Sequence, residues 1–269
     1  MPGRVSVGGR AARVVTRVQV ATLVLGVALI AGACKGRNYG SDTGNSGTAP
    51  AGAATAGDSA VAARTQSSGA AGAKERTTWS FDSAAAGQPP AGFSFGRTGS
   101  GRPGRWVVRA APDAPSGPNV LAQEDTDRTD YRFPVAVADA PSFGDGSVSV
   151  RCKPVSGRSD QACGIVWRYQ DENNYYVARA NALEGNVRFY FVESGRRREA
   201  KGWNGKVSTG VWHELRADMR GDHVEIYFDG AKVIDAHDSR FSTPGRVGVW
   251  TKADSHTLFD DLTASPGGS

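Results

Sequence analysis

The sequence lacks an apolar run long enough to form a membrane-spanning helix. Its main apolar run, VATLVLGVALIAGAC at Val20–Cys34, falls short of the roughly 20 residues that a bilayer requires. No repeat of 20 to 50 residues is present either, which excludes a solenoid or a propeller. Beyond Trp79 no stretch shows a sustained helical period, and the linkers between strand-like runs are too short for crossover helices. An α/β architecture is therefore excluded.

Acidic residues are missing from the amino-terminal segment, and this absence explains the basic character of the chain. Four arginines precede the apolar run, namely Arg4, Arg10, Arg13 and Arg17. Removing these four from the 32 basic residues leaves 28 basic against 27 acidic residues. The rest of the chain is nearly neutral, so the basic charge indicates targeting rather than a polyanionic partner. Binding to nucleic acid is not expected.

The end of the apolar run predicts export and lipidation. Its last residues before Cys34 are small, as signal peptidases require, and the cysteine follows at once. This arrangement resembles the lipobox of bacterial lipoproteins. We expect a signal peptide over residues 1–33, a lipidated Cys34, and an exported protein anchored at the outer membrane or cell surface. An ordinary cleaved signal followed by an incidental cysteine is the alternative.

Residues 34–75 predict a disordered tether. After the cysteine the segment is almost wholly Gly, Ala, Ser, Thr and Asn, with Tyr39 and Val61 as its sizeable apolar side chains. Such a composition buries too little surface to offset the entropy lost on ordering. We expect the tether to hold one folded domain, residues 76–266, away from a membrane. A short tail, residues 267–269, follows.

The folded domain is predicted to be an all-β sandwich. About thirteen short strand-like runs are separated by Gly, Pro, Asn and Asp. In GIVWRYQDENNYYVARANALEGNVRFYF, alternation places apolar residues such as Ile165 and Trp167 in the core between two sheets. The opposite face then carries six polar or aromatic residues: Arg168, Tyr175, Arg179, Asn181, Arg188 and Tyr190.

The arginines of that face are interpreted as part of a recognition surface. With turns at 171–174 and 182–185, Arg179 falls opposite Arg188 and diagonal to Arg168. Like charges directly opposite on a sheet destabilise it slightly, so a ligand would compensate for the repulsion. Arginines that only contact water or pair with carboxylates are the alternative.

Two further cysteines predict a disulfide bond. With Cys34 lipidated, Cys152 and Cys163 form an even pair in an oxidising compartment. Both share the apolar parity of their strands. We expect SVSVRC and CGIVW to form a hairpin that places the two cysteines opposite each other, within disulfide reach. Two reduced cysteines packed as small hydrophobic residues are the alternative.

Three segments resemble the concanavalin A-like lectin/glucanase superfamily: the stretch quoted above, WHELRADMRGDHVEIYFDGAKVID and GRVGVWTKADSHTLFDDL. More narrowly they resemble LamG-like domains of the 3-keto-disaccharide hydrolase type, here on a bacterial lipoprotein. The resemblance covers residues 145–265 well and 76–144 loosely. It implies a jelly-roll sandwich of two curved antiparallel sheets with the ligand on the concave face. The arginine face would then be concave, and Trp250 and Lys252 would join it.

The resemblance implies less about catalysis. The Glu-x-Asp-x-x-Glu pattern of related β-glucanases is absent, so that retaining mechanism lacks its acid and nucleophile. A 3-keto sugar needs only one general base and an electrophile, for which Arg168, Arg179, Arg188 or a metal could serve. No base is identified, and whether the protein is an enzyme stays open.

Metal ligands are not predicted with a recognisable spacing. The four histidines, His213, His223, His237 and His256, match no zinc motif, so no metal-binding residue is assigned. Asp260 and Asp261 resemble calcium ligands of related modules, which keeps a divalent metal such as calcium open as a cofactor.

Two functions from different classes follow. The first is a non-catalytic carbohydrate-binding lipoprotein, in which aromatic rings stack on sugars while Arg and Asn bind hydroxyl groups. The second is a hydrolase or lyase acting on 3-keto-glycosides or other glycosides. A strongly perturbed titratable group beside the arginines favours the enzyme, and a shallow groove without one favours binding. A purely structural role in the envelope is the third alternative.

Overall fold

The computed structural model describes residues 64–66 and 75–267. The predicted signal peptide, Cys34 and most of the tether lie outside these residues, and their assignments stay predictions. Within the described part, sixteen strands form two antiparallel sheets, one of nine strands and one of seven. Those residues include no helix that is long and apolar enough to cross a membrane. The prediction of an all-β sandwich is confirmed.

The nine-stranded sheet supplies one layer of the sandwich. Its strands are β1 (Arg64–Gln66), β2 (Arg76–Trp79), β4 (Trp106–Ala110), β5 (Asn119–Gln123), β7 (Gly146–Ser156), β12 (His213–Arg220), β13 (His223–Phe228), β14 (Ala231–His237) and β16 (His256–Pro266). They run in the order β1-β2-β16-β7-β12-β13-β14, with β5 also pairing with β16 and β4 pairing with β5.

The seven-stranded sheet supplies the other layer. Its strands are β3 (Phe93–Gly99), β6 (Arg132–Ala138), β8 (Ala162–Asp171), β9 (Asn174–Asn181), β10 (Asn186–Glu193), β11 (Arg196–Asn204) and β15 (Arg246–Trp250). Their order is β11-β10-β9-β8-β15-β6-β3. Strands far apart in the sequence, such as β8 and β15, are neighbours in this sheet.

The main core lies between the two sheets, as alternation predicted. Ile165, Trp167 and Phe189 from the seven-stranded sheet pack with Leu215 and Phe259 from the nine-stranded sheet, and all five are fully buried. Burying a large apolar side chain of this kind contributes roughly 1.5 to 3 kcal/mol. Because alternate residues of a strand point to opposite faces, the residues between these core positions point to the outer face of the sheet.

Strands β1, β3 and β11 did not stand out in the sequence. Strand β11, RRREAKGWN, is mostly exposed and forms one edge of its sheet, while β3 forms the other edge. Edge strands carry little hydrophobic alternation and often carry charge. Strand β1 lies inside the segment predicted to be a tether and pairs with β2 through its backbone.

The disulfide bond between Cys152 and Cys163 is confirmed, with 6.2 Å between the two Cα atoms. The expected hairpin is wrong, because β7 and β8 belong to different sheets. The chain crosses from one sheet to the other between these strands. Since both cysteines point inward, the bond joins the two layers across the core.

Candidate functional site

The outer face of the seven-stranded sheet is strongly concave. The side chain of Arg197 on β11 lies 4.3 Å from the ring centroid of Phe133 on β6, five strand positions away. In a flat sheet that interval is about 24 Å. Thr98 on β3 likewise shares a 2.7 Å hydrogen bond with the hydroxyl of Tyr175 on β9. The two edges of the sheet therefore curl toward each other over this face, which we call the concave face.

A layer of aromatic side chains forms the floor of the concave face. The rings of Phe133 and Trp250 stack with centroids 5.2 Å apart, and Tyr175 and Tyr190 are buried beside them. Trp250 Nε1 donates a 3.3 Å hydrogen bond to the Tyr175 hydroxyl, so the polar atom of the indole is satisfied. The floor is rigid because each ring packs on fixed neighbours.

Arg197 lies over this floor without a carboxylate partner among the described residues. Its guanidinium carbon is 4.4 Å from the Tyr190 ring centroid and 5.6 Å from that of Trp250. Burial lowers the pKa of Arg197, and its Nη1 atom has no hydrogen-bond partner. The Arg197 guanidinium is therefore desolvated, and its buried Nη1 N–H leaves hydrogen-bonding capacity unsatisfied at the centre of the face.

A buried carboxylate organises the next part of the face. Asp160, which is 1% exposed, accepts a 2.7 Å hydrogen bond from Asn181 Nδ2 and lies 3.0 Å from Lys252 Nζ. Burial raises the pKa of Asp160, and the positive charge of Lys252 offsets part of this rise. Burial also disfavours the Lys252 ammonium, yet the charges of Asp160 and the exposed Asp130 raise its pKa. The lysine thus stays charged and fixed at the edge of the face.

Arg179 forms a second ion pair on the same face. Its Nη1 donates to Glu184 Oε2 at 3.0 Å and its Nη2 donates to the Tyr190 hydroxyl at 2.7 Å, while its Nε lacks a partner. Although burial opposes ionisation, the charge of Arg179 holds the pKa of Glu184 below its usual range. Asn186 Nδ2 also donates to Glu184, at 3.1 Å. The Glu184 side chain is 44% exposed and so remains accessible.

Exposed apolar residues line the rim of the concave face. Tyr131 is 40% exposed, and its hydroxyl donates to Gly195 O at 3.1 Å and accepts from the backbone N–H of Arg197 at 2.6 Å. Leu183, in the turn before Glu184, is 50% exposed. Tyr131 therefore presents a fixed ring to solvent, packed on Phe133 and held by the backbone of Arg197.

The concave face brings together six of the eight residues predicted for it. Tyr175, Arg179, Asn181, Tyr190, Trp250 and Lys252 lie in the arrangement described above. Arg188 is opposite Arg179 as predicted, but its Nη1 donates to Trp203 O at 2.7 Å and its Nη2 to Asn204 Oδ1 at 2.8 Å. It therefore reaches away from the aromatic floor, toward β11. Ligand binding by these residues stays a prediction.

Arg168 does not lie on the concave face, which corrects its expected placement. A bulge interrupts β8 between Trp167 and Asp171, and Arg168 has a φ of 46°. The bulge reverses the alternation, so Tyr169 takes the concave side. Arg168 is buried and donates to Phe241 O at 2.6 Å and to Gly221 O at 2.7 Å. It is a structural residue that joins loops of the sandwich.

Three important residues of the concave face were missed from the sequence. Asp160 lies just before β8, Glu184 lies in a turn, and Arg197 belongs to the unpredicted β11. Each reaches the face only because the sheet curls or a turn folds back. The clustered arginines of SGRRREAKG were the one sequence signal that could have drawn attention to Arg197.

Two grooves found among the described residues lie outside the concave face. Two open depressions of about 470 and 630 Å³ lie on the outer face of the nine-stranded sheet. Their linings are polar and charged, and include Arg76, Arg151, Arg216 and Asp218, without a Phe, Tyr or Trp ring. The aromatic cluster of the concave face, formed by Phe133, Tyr175, Tyr190 and Trp250, has no counterpart in the lining of either groove, so chemistry favours that face over these grooves.

Asp260 marks a separate acidic cluster on β16. It is fully buried and accepts backbone hydrogen bonds from Ser116 at 3.1 Å and Asp261 at 2.8 Å. Burial and the charges of Asp261 and Asp82 raise the pKa of Asp260 to about 7. None of the ion pairs found in residues 75–267 gives these three carboxylates a basic partner.

The raised pKa of Asp260 predicts stability that depends on pH. The folded state holds this proton more tightly than the unfolded state, so the contribution is complete below pH 4 and is lost as the pH rises through about 7. In the presence of a metal chelator, the Asp260→Asn variant should therefore have a free energy of unfolding about 1–2 kcal/mol higher than that of the native chain at pH 8. This difference should be smaller at pH 5. Urea denaturation at both pH values measures it. A constant difference between the two chains would contradict the assignment.

Comparisons with known proteins agree with this architecture. No protein-family model matches the chain. A carbohydrate-binding module, CBM66 from Bacillus subtilis, superposes with a TM-score of 0.52 and 22% identity over 64% of this chain and 95% of that one. The chain has a jelly-roll fold. Domain 4 of AbnA, a GH43 extracellular arabinanase from Geobacillus stearothermophilus solved with arabinotriose, gives a TM-score of 0.49 and 16% identity over 73% of this chain and 94% of that one.

One curated protein also matches part of the sequence. A levanase of Bacillus subtilis strain 168 is 32% identical over 96 residues. The match covers 35% of this chain and 14% of the levanase, so it relates one segment rather than two whole proteins. The narrower resemblance to domains of the 3-keto-disaccharide hydrolase type stays a prediction.

Proposed function

We propose that the protein is an exported carbohydrate-binding lipoprotein that recognises glycans on its concave face. The observation that carries this proposal is the exposed ring of Tyr131, held by the backbone N–H of Arg197 at the rim of a face that also carries Lys252 and Glu184. The C–H face of a sugar ring packs on an aromatic ring, while its hydroxyl groups both donate and accept hydrogen bonds. The concave face offers both kinds of contact.

The names of the similar proteins support the same ligand class. One is a carbohydrate-binding module, and the other is a levanase matched over one segment. The ligand groups of the concave face have mixed charge, because the cations Arg179, Arg197 and Lys252 accompany Asp160 and Glu184. This balance suits a ligand with many hydroxyl groups better than a polyanion.

Anchoring is part of the proposal. Cys34 carries the lipid, and the segment that follows it separates the sandwich from the membrane. Because β1 already pairs with β2, the predicted tether would comprise residues 35–63, and a flexible coil of about 29 residues has an end-to-end distance of roughly 30 Å. The concave face would then reach polysaccharide beyond the lipid headgroups, at the outer membrane or cell surface.

We propose calcium at the acidic cluster of Asp82, Asp260 and Asp261 only as the cofactor that the sequence left open, because Ca²⁺ prefers carboxylate oxygens. Both oxygens of Asp260 already accept backbone hydrogen bonds, and the side chains whose ligand atoms converge among the described residues are His223, Glu225 and Asp235. Repeating the pH series above with CaCl₂ should stabilise the native chain at pH 8 and leave Asp260→Asn unchanged.

A hydrolase acting on 3-keto-glycosides or other glycosides is the second candidate. The raised pKa of Asp160, close to Arg179 and Glu184, is the observation that favours it. Against it, Asn181 occupies Oδ1 of Asp160 and Lys252 occupies Oδ2. A general acid or base needs a free oxygen within reach of the substrate, so binding is the better-supported function.

Replacing Tyr131 should separate binding from folding. A glycan array probed with the full chain identifies ligands, and calorimetry then measures their affinity. Tyr131→Ala should weaken binding at least tenfold because it removes the exposed platform. The matched control is Phe95→Ala, since Phe95 is 42% exposed but pairs with Ala136 on the core-facing parity of the sheet. The control should stay within twofold of the native chain.

Three results would count against the proposed function. An array without any bound glycan would remove its basis, and equal losses in Tyr131→Ala and Phe95→Ala would place the ligand elsewhere. Release of a shorter sugar from a bound glycan would instead support the hydrolase. In that case Asp160→Asn should abolish turnover while the glycan still binds.

A further inference from the structure

Four side chains of metal-binding types lie next to one another on the outer face of the nine-stranded sheet. Strands β13 and β14 pair so that His223 is opposite His237 and Glu225 is opposite Asp235. Residues two apart on a strand share a face, so these four form a two-by-two array. The two imidazole rings stack with centroids 4.7 Å apart. The potential ligand atoms of His223, Glu225 and Asp235 all lie within 4.8 Å of one another.

The surroundings of this array attract a cation. Lys232 Nζ lies 2.7 Å from Glu225 Oε1 and 2.9 Å from Asp235 Oδ2, so an ammonium already bridges the two carboxylates. Asp218 lies opposite Glu225 on β12, and Asp222 accepts a hydrogen bond from His237. The four carboxylates face three basic side chains among the residues described nearby: Lys232, Arg216, which pairs with Asp218, and Arg220, which lies opposite His223 on β12. The array is therefore negatively charged when the histidines are neutral.

Neighbouring side chains orient Glu225 and His237, two of the four residues in this array. The Tyr227 hydroxyl donates a 3.0 Å hydrogen bond to Glu225 Oε2, which leaves Oε1 toward the lysine. His237 Nδ1 lies 3.2 Å from Asp222 Oδ1, which leaves its Nε2 available. Outer contacts of this kind orient ligands at metal sites. His223 is 37% exposed, and the 630 Å³ groove reaches it from solvent.

We propose that His223, Glu225 and Asp235 bind a divalent transition-metal ion of the zinc type, with Lys232 displaced into solvent. Imidazole nitrogen combined with carboxylate oxygen suits Zn²⁺ better than Ca²⁺ or Mg²⁺, which prefer oxygen alone. Displacing Lys232 is inexpensive because its ion pairs are exposed and the side chain is flexible. The site is distinct from the concave face and from the Asp260 cluster.

Calorimetry with ZnCl₂ tests the site on the full chain, with Cys34→Ser in every variant so that no free thiol competes. We expect one ion per chain, at least tenfold weaker binding in His223→Asn, and several-fold tighter binding in Lys232→Gln, which removes the competing ammonium. His256→Asn is the matched control, because His256 lies near Glu124 and Arg109 instead. It should bind Zn²⁺ like the parent chain, as should the parent in 1 mM CaCl₂.

The proposal fails if 100 µM Zn²⁺ gives no binding, or if His223→Asn and Lys232→Gln both bind as the parent does. Circular dichroism shows whether His223→Asn still folds. Should it not fold, the outcome rests on Lys232→Gln, whose affinity must rise for the proposal to stand. Glycan binding is independent of this result, since the concave face belongs to the other sheet.

Discussion

Arg168→Gln is expected to lower the free energy of unfolding by about 3–5 kcal/mol, although the sequence placed this arginine on a binding face. Its Nη1 donates to Phe241 O at 2.6 Å, and its Nη2 donates to Gly221 O at 2.7 Å and lies 3.2 Å from Asp145 Oδ1. Its Nε donates to Gly144 O at 3.2 Å. A glutamine reaches too few of these groups, and the abandoned carbonyl oxygens stay buried without donors.

Arg188→Gln is the matched control for this prediction. Arg188 also belongs to the seven-stranded sheet, yet its guanidinium lies near the surface, where Glu199 is 48% exposed. We expect this variant to lose less than about 1 kcal/mol. Urea denaturation of both variants gives the comparison. Equal losses of stability in the two variants would show that Arg168 is no more important for folding than Arg188. Glycan affinity should be unchanged in Arg168→Gln protein that folds.

Removing the disulfide bond is expected to lower the free energy of unfolding by about 2–4 kcal/mol. The bond closes a short segment, because Cys152 and Cys163 are 11 positions apart in the sequence, and it links the two sheets. Without it the unfolded chain gains conformational freedom, and the sheets lose their covalent connection. The double variant Cys152→Ala/Cys163→Ala, compared with the native chain by urea denaturation, measures the loss.

Reducing agent provides the control for the disulfide. Dithiothreitol should destabilise the native chain and leave the double variant unchanged, because the variant has no bond to reduce. A native chain that unfolds at the same urea concentration with and without dithiothreitol would show that the bond contributes little. Fully buried alanines in place of the cysteines leave small cavities, so the variant should be slightly less stable than the reduced native chain.

Much of the sandwich was predictable from local patterns. Alternation in β8, β9 and β10 assigned Trp167 and Phe189 to the core, and both are fully buried there. The register that places Arg179 opposite Arg188 followed from the two turn positions and is observed. These features depend on a period of two and on short turns, which a chain encodes in neighbouring residues.

The pairing of Cys152 with Cys163 shows where local patterns stop. Parity alone placed both sulfur atoms inside the sandwich. Whether the chain turned back within one sheet or crossed to the other depended on β7 pairing with β12 and β16, far along the sequence. Such pairings are decided by which strands can share a buried face, and a short window of sequence does not contain that information.

The sequence by itself determined the strand faces, the inward cysteines and most of the concave face, because alternation and turn residues act over a few positions. Only the tertiary structure decided the fate of Arg168, since one bulge reversed its side, and the approach of Arg197 to Phe133 across a curled sheet. It also decided that Asp160 would be buried against Lys252. Curvature, burial and long-range hydrogen bonds depend on the whole packed molecule, and those three effects build the candidate site.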